Sequence, residues 1–128
     1  MKIRALDHLV LTVRSIEETC RFYGEGLGME VEQFDGGRWA LKFGNQKFNL
    51  RQAGKEFEPK AENPAPGTQD FCLLVESLQD CQTELEARGI AILEGPVQRT
   101  GALGPLRSIY LRDPDANLVE LAEQLPHE

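Results

Sequence analysis

Aromatic residues are scarce in this sequence, at 7% of 128 positions, but hydrophobic residues reach 41%. That is apolar content enough for a packed core, so a disordered chain is excluded. Positive charge is also in deficit, with 14 Lys and Arg against 21 Asp and Glu and a formal net charge of -7. No basic patch exists that would follow a phosphate backbone, so DNA, RNA and anionic membrane surfaces are poor partners. The opening residues, MKIRALDHLV, lack a long apolar run after their charges. No signal peptide or transmembrane helix is expected there. Cys20, Cys72 and Cys81 are odd in number and show no CxxC spacing. They read as reduced, mostly buried thiols of a cytoplasmic protein, without an activating base close by.

What the sequence does contain is an internal repeat. Asp7 to Ile16 (DHLVLTVRSI) lies over Gln69 to Leu78 (QDFCLLVESL). Each segment is rich in strand formers and ends at a serine. Ser15 is followed three places later by Glu18, and Ser77 by Asp80, the spacing of a helix-capping box. A first helix is predicted over Ile16 to Glu25, with Ile16, Cys20 and Tyr23 on one face and Gly26 and Gly28 ending it. A second is predicted over Leu78 to Arg88, with Leu78, Cys81 and Leu85 buried and Gly89 as its stop. Strands follow at Met29 to Val31 and at Ile90 to Ile92. Each half then closes with a hairpin: Arg38 to Phe43 with Gln46 to Gln52, and Arg107 to Arg112 with Asn117 to Ala122. The second turns through Asp113 to Ala116.

Each half thus reads strand, helix, strand, strand, strand. The expected fold is α+β: two βαβββ modules forming curved mixed sheets around a shared cleft. Residues 1–128 form one domain, made of a first module at 4–53, a Pro-rich linker at 54–68 and a second module at 69–123. A half of this size is marginal alone.

Side chains alternate along a strand. Leu9, Leu11 and Val13 share one face of the first strand; His8, Val10 and Thr12 share the other. In the second half Phe71, Leu73 and Val75 oppose Asp70, Cys72 and Leu74. The closing strands bury Phe48 and Leu50, and Val119 and Leu121. They turn Lys47, Asn49 and Arg51, and Leu118, Glu120 and Ala122, the other way. Polar groups therefore recur at equivalent places, His8 with Asp70 and Asn49 with Glu120. A histidine with carboxylates at convergent strand positions suits a borderline or hard divalent metal. His127 falls in a polar tail, Gln124 to Glu128, expected to be disordered.

The stretches LDHLVLTVRSIEETCRFYGEGLGMEV and YLRDPDANLVEL, in this order, resemble the vicinal-oxygen-chelate superfamily of glyoxalases, bleomycin-resistance proteins and extradiol dioxygenases. Phe48-Asn49-Leu50, Glu56 to Ala61 and Gly95 to Pro105 are similar to its glyoxalase-domain-containing branch. The resemblance implies metal ligands on the first and last strand of each half. His8 matches the first-half histidine and Glu120 the final glutamate. Asp70 stands where glyoxalase I members carry a second histidine, and Asn49 where they carry a glutamate. Arg51 stands where this branch often has histidine.

The implied chemistry is that of a glyoxalase-like metal-dependent lyase or isomerase acting on a small carbonyl or thiol-conjugate substrate. His8, Asp70 and Glu120 are the expected metal ligands, for Zn, Ni, Mn or Fe in preference to Cu(I). Glu120 is the expected proton carrier. Lys47, Asn49, Arg51 and Arg99, with Arg107, are expected to bind an anionic small molecule. The long glycine-bearing segment Arg99 to Pro105 is expected to form a loop over the site. The alternative is a non-catalytic sequestering protein of the bleomycin-resistance kind that holds its ligand without metal. An extradiol-type dioxygenase ranks below both, because the two-His-one-carboxylate set is incomplete. The resemblance also implies a homodimer. Light scattering at micromolar concentration should then return twice the chain mass; the chain mass alone would remove that expectation.

Overall fold

The computed structural model describes residues 1–126, so the expectation for His127 lies outside the described residues. The chain divides into two compact units, Met1–Thr68 and Gln69–Glu128. Each holds one four-stranded mixed sheet with few helical residues. No helix among the described residues is long and apolar enough to cross a membrane.

In the first unit β1 (His8–Val13), β2 (Glu30–Phe34), β3 (Arg38–Phe43) and β4 (Gln46–Gln52) assemble in the order β1-β4-β3-β2. β1 and β4 run parallel and the other pairs antiparallel. The second unit repeats this with β5 (Asp70–Leu74), β6 (Glu94–Thr100), β7 (Pro105–Arg112) and β8 (Leu118–Gln124) in the order β5-β8-β7-β6, with β5 and β8 parallel. Two βαβββ modules are therefore present. Gln124, expected in the tail, is the last residue of β8.

The helices begin where the serines predict. Ser15 Oγ accepts from Glu18 N at 3.1 Å and Ser77 Oγ from Asp80 N at 3.2 Å. Each bond satisfies one backbone donor that the first helical turn leaves open. α2 runs Leu78–Ala87 and buries Leu78 and Leu85. The first helix departs from its expected form. Only Ile16–Cys20 is α-helical (α1), and Arg21–Gly26 widens into a π-helical coil. There Leu27 N reaches back five residues to Phe22 O at 3.1 Å. Gly24 and Gly26 weaken the α-helical preference locally, and a Cβ on Gly24 would lie 2.9 Å from Val31 Cγ2 of β2. The coil keeps Tyr23 fully buried, edge-on to Phe48.

The largest departure lies in the second unit. The strand expected at Ile90 to Ile92 is absent, and β6 begins at Glu94. Pro96 is the reason the sequence reading missed it, since proline lacks the ladder donor. β6 is an edge strand, where a proline is tolerated, and its register shifts between Glu94 and Val97. The expected loop shortens accordingly. Arg99 and Thr100 belong to β6 and Pro105 to β7, and only residues 101–104 turn, closed by Gly101 N to Gly104 O at 2.7 Å.

The β7–β8 turn is held by one buried carboxylate. Asp113 Oδ1 accepts from Asp115 N and Asn117 N, and its Oδ2 accepts from Asn117 Nδ2 at 2.8 Å. Asn117 Oδ1 in turn accepts from Gln69 N at 2.8 Å, which ties the turn to the start of β5. Ala116 is thereby held at φ +68°, a left-handed conformation that costs a non-glycine residue about 1–2 kcal/mol. Asp113→Ala strands three donors and should cost about 2–4 kcal/mol in chemical denaturation. Ala116→Gly should add about 1 kcal/mol. A loss below half a kcal/mol in the first variant would show that the turn does not depend on this carboxylate.

Candidate functional site

Alternation along β4 decides what the first unit presents. Phe48 and Leu50 are buried in the core, so Lys47, Asn49 and Arg51 occupy the opposite face. The β1–β4 register pairs His8 with Lys47, Val10 with Asn49 and Thr12 with Arg51. His8 and Asn49 are thus diagonal neighbours on that face. The His8 side chain is about half exposed, and its Nδ1 lies 2.9 Å from Asp7 Oδ2. In the tautomer with its proton on Nδ1, the ring donates to that carboxylate and keeps the Nε2 lone pair as the nitrogen that could bind a metal. Asn49 is only 6% exposed, and its Oδ1 has no hydrogen-bond partner. An orphaned buried acceptor costs about 1–3 kcal/mol and is an oxygen donor waiting for a ligand.

The two cations on this strand are already engaged. Lys47 Nζ sits 3.9 Å above the Phe34 ring centroid. Arg51 Nη1 donates to the carbonyls of Phe57 and Pro59, both at 3.2 Å, and its guanidinium stacks 4.4 Å from the Phe57 ring. Arg51 therefore pins the segment after β4 to the sheet.

The second unit presents a pocket. Asp70, at the start of β5, is exposed and pairs with Leu118; the next outward residue, Cys72, pairs with Glu120. Tyr110 of β7 pairs with Glu120 from the other side. A row of phenol, carboxylate and thiol thus crosses three strands. The pocket has a volume of about 430 Å³ and is lined by Glu120, Cys72, Arg99, Leu74, Leu103 and Leu106, among others. The 101–104 turn forms part of its wall. Arg99 donates from Nε to Tyr110 Oη at 2.9 Å and from Nη1 to Gln98 O at 3.0 Å. Arg107 is exposed and pairs with Gln98 and Glu123.

Burial pushes the Cys72 thiol up to about 11, with the Glu120 charge and the thiol's hydrogen bond to that carboxylate adding to it. Cys72 is exposed by residue surface, and Cys20 and Cys81 are half-buried, so the expectation of mostly buried thiols is corrected. The Cys72 side chain borders a cavity whose walls still desolvate its sulfur. Cys72 and Tyr110 are the site residues that sequence reasoning missed. The available signal was alternation, which already set Cys72 on the face of Asp70.

Of the expected metal ligands, His8 lies in the first unit, and Asp70 and Glu120 lie two steps apart on paired strands of the second. Among the described residues no three His, Cys, Asp or Glu side chains gather closely enough to hold an ion. An imidazole nitrogen with carboxylate oxygens is the donor type a borderline or hard divalent metal takes, but the described residues do not gather these donors at one place.

Paired βαβββ modules with polar groups at the first and last strand of each define a class. Residues 5–121 match the Glyoxalase/Bleomycin resistance protein/Dioxygenase superfamily, and the chain belongs to it. It is 55% identical to the glyoxalase domain-containing protein RDO1 of Mycosarcoma maydis over 123 residues, which cover 95% of this chain and 69% of that one. It is 51% identical to the virulence protein STM3117 of Salmonella typhimurium over 124 residues, 96% of this chain and 86% of the relative. The crystal structure of STM3117 superposes with a TM-score of 0.95 at 50% identity, covering 98% and 100% of the two chains. An integron cassette protein from the mobile metagenome of V. cholerae superposes equally well, with a TM-score of 0.95 at 51% identity and 98% coverage of both chains.

Removing the Glu120 charge should lower the Cys72 thiol toward its ordinary value. In chelated, metal-free protein with Cys20 and Cys81 replaced by serine, Glu120→Gln should alkylate several-fold faster than its parent at about pH 8.5. Equal rates would show that the carboxylate does not act on the thiol.

Proposed function

We propose that the protein is a glyoxalase-like, metal-dependent lyase or isomerase for a small substrate with neighbouring oxygens, a carbonyl compound or thiol conjugate. The observation that carries this reading is Glu120. It is a half-buried carboxylate in the wall of a pocket, with the Arg99 guanidinium in the same lining. His8, Asp70 and Glu120 are the residues assigned to hold the metal. A divalent ion held by them would supply Lewis-acid polarisation of the substrate oxygens. The remaining tasks fall to the chain. Glu120 takes and returns the proton at its carboxylate oxygens, held in place by the Cys72 thiol. Arg99, itself positioned by Tyr110, binds the substrate's anionic or carbonyl oxygen. Leu74, Leu103 and Leu106 supply the apolar part of the lining. On the first unit Lys47, Asn49 and Arg51 are assigned to binding. The working form is a homodimer in the cytoplasm, where its thiols stay reduced.

A second reading has its own support. Asn49 is a neutral amide at a ligand position and Arg51 brings a cation two residues away, both unfavourable to a divalent ion. A sequestering protein would use the same pocket without metal.

Calorimetric titration of Zn, Ni, Mn and Fe(II) separates the two. The wild type should bind at least one of them, and His8→Ala and Glu120→Gln should each weaken that binding about tenfold or more. No binding by the wild type, or equal binding by all three proteins, would leave a metal-free ligand pocket. Oxygen uptake during turnover would instead mark an oxygenase.

A further inference from the structure

The polar face of the first unit's sheet carries a ladder of alternating cations and rings. Lys47 Nζ lies 3.9 Å from the Phe34 centroid, and the Arg38 guanidinium lies 4.8 Å from the same ring. Arg38 is also 5.4 Å from the Phe57 centroid, and Arg51 closes the series 4.4 Å from Phe57. Strand pairing builds one rung, since Phe34 of β2 faces Arg38 of β3. No carboxylate forms an ion pair with Lys47, Arg38 or Arg51 among the described residues. Three like charges without an ion-pair partner thus sit together in a chain whose net charge is -7, on the sheet face to which strand register also assigns Glu30 and Glu32 of β2.

Stacking holds these cations without neutralising them. A cation over a ring keeps its charge, and a guanidinium held this way can still offer N–H donors to another acceptor. Arg51 donates part of its edge to the carbonyls of Phe57 and Pro59. Arg38 and Lys47 have no hydrogen-bond acceptor among the described residues, and both are half-buried. The second observation is independent of charge. Asn49 follows Lys47 on the same face of β4, is 6% exposed, and has an Oδ1 that accepts from nothing. Cationic donors beside an orphaned acceptor match an oxyanion that also carries an O–H.

We propose that this face is a binding subsite for the hydroxyl-bearing oxyanion of a small molecule, with Arg38 and Lys47 donating to its charged oxygens and Asn49 accepting from its hydroxyl. Arg51 acts as a positioning residue, setting Phe57 against Arg38. The proposal rests on the small-molecule reading above and narrows its ligand to hydroxy acids or phosphoryl compounds, which share this chemistry.

The test uses the full chain kept metal-free with chelator, with inorganic phosphate and glycolate as probes, followed by amide shifts in two-dimensional NMR. Saturable shifts at Phe34, Arg38, Lys47 and Asn49 are expected with at least one probe, and which one binds tells phosphoryl from carboxylate. Arg38→Gln should weaken binding about tenfold. Asn49→Asp should abolish it, and Arg21→Gln, at an exposed cation outside these strands that is paired with Glu17, should leave it unchanged. The same spectra report whether each variant is folded. If Arg38→Gln unfolds, Lys47→Gln takes its place, with a several-fold loss expected. No saturable shift with either anion, or binding equal to wild type in the folded Arg38 or Lys47 variant, overturns the proposal. Metal binding by His8 and Glu120 is read separately, so either idea can fail alone.

Discussion

The parallel pairing of the first and last strand in each module is the constraint on which the rest depends. β1 lies against β4 and β5 against β8, in registers that match position for position. Val10 faces Asn49 as Cys72 faces Glu120, and His8 faces Lys47 as Asp70 faces Leu118. A strand has two faces, and burial of Phe48, Leu50, Val119 and Leu121 settles both closing strands at once. A slip of one residue would send every polar side chain into the core. Hydrophobic burial thus fixes the face on which the chemistry sits.

The repeat was legible because it is written in features with short-range causes. Serine caps, glycine stops and strict alternation act over a few residues, and β3, β4 and α2 fall where these signals put them. What was not legible depends on longer-range context. The π-helical coil of Arg21–Gly26 depends on how Gly24 meets Val31 of β2. The position of β6 depends on Pro96 falling on an edge strand, which no local pattern declares. The candidate residues were found by alternation, but their engagements were not. Stacking of Lys47 on Phe34 and capture of two carbonyls by Arg51 join segments whose proximity only the fold creates.

The same distinction sorts the motif residues. Asp113 and Asn117 belong to one of the two stretches by which the family is recognised, and both are buried. Their partners include backbone donors of their own turn, each other's side chains and Gln69. They shape the connection that delivers β8 beside β5, and so place Glu120 without touching it. Glu120, in the same stretch, lines the pocket. One short motif thus carries a scaffold and a chemical group.

The latch formed by Arg51 has a consequence for variation among related chains. Its hydrogen bonds go to main-chain carbonyls of Phe57 and Pro59, groups that every amino acid carries. Side chains along that segment can therefore drift while the attachment persists, Phe57 excepted because its ring is stacked. In this chain a single arginine and a single aromatic ring keep the segment docked on the sheet, so a relative with histidine at that position must hold it by other contacts.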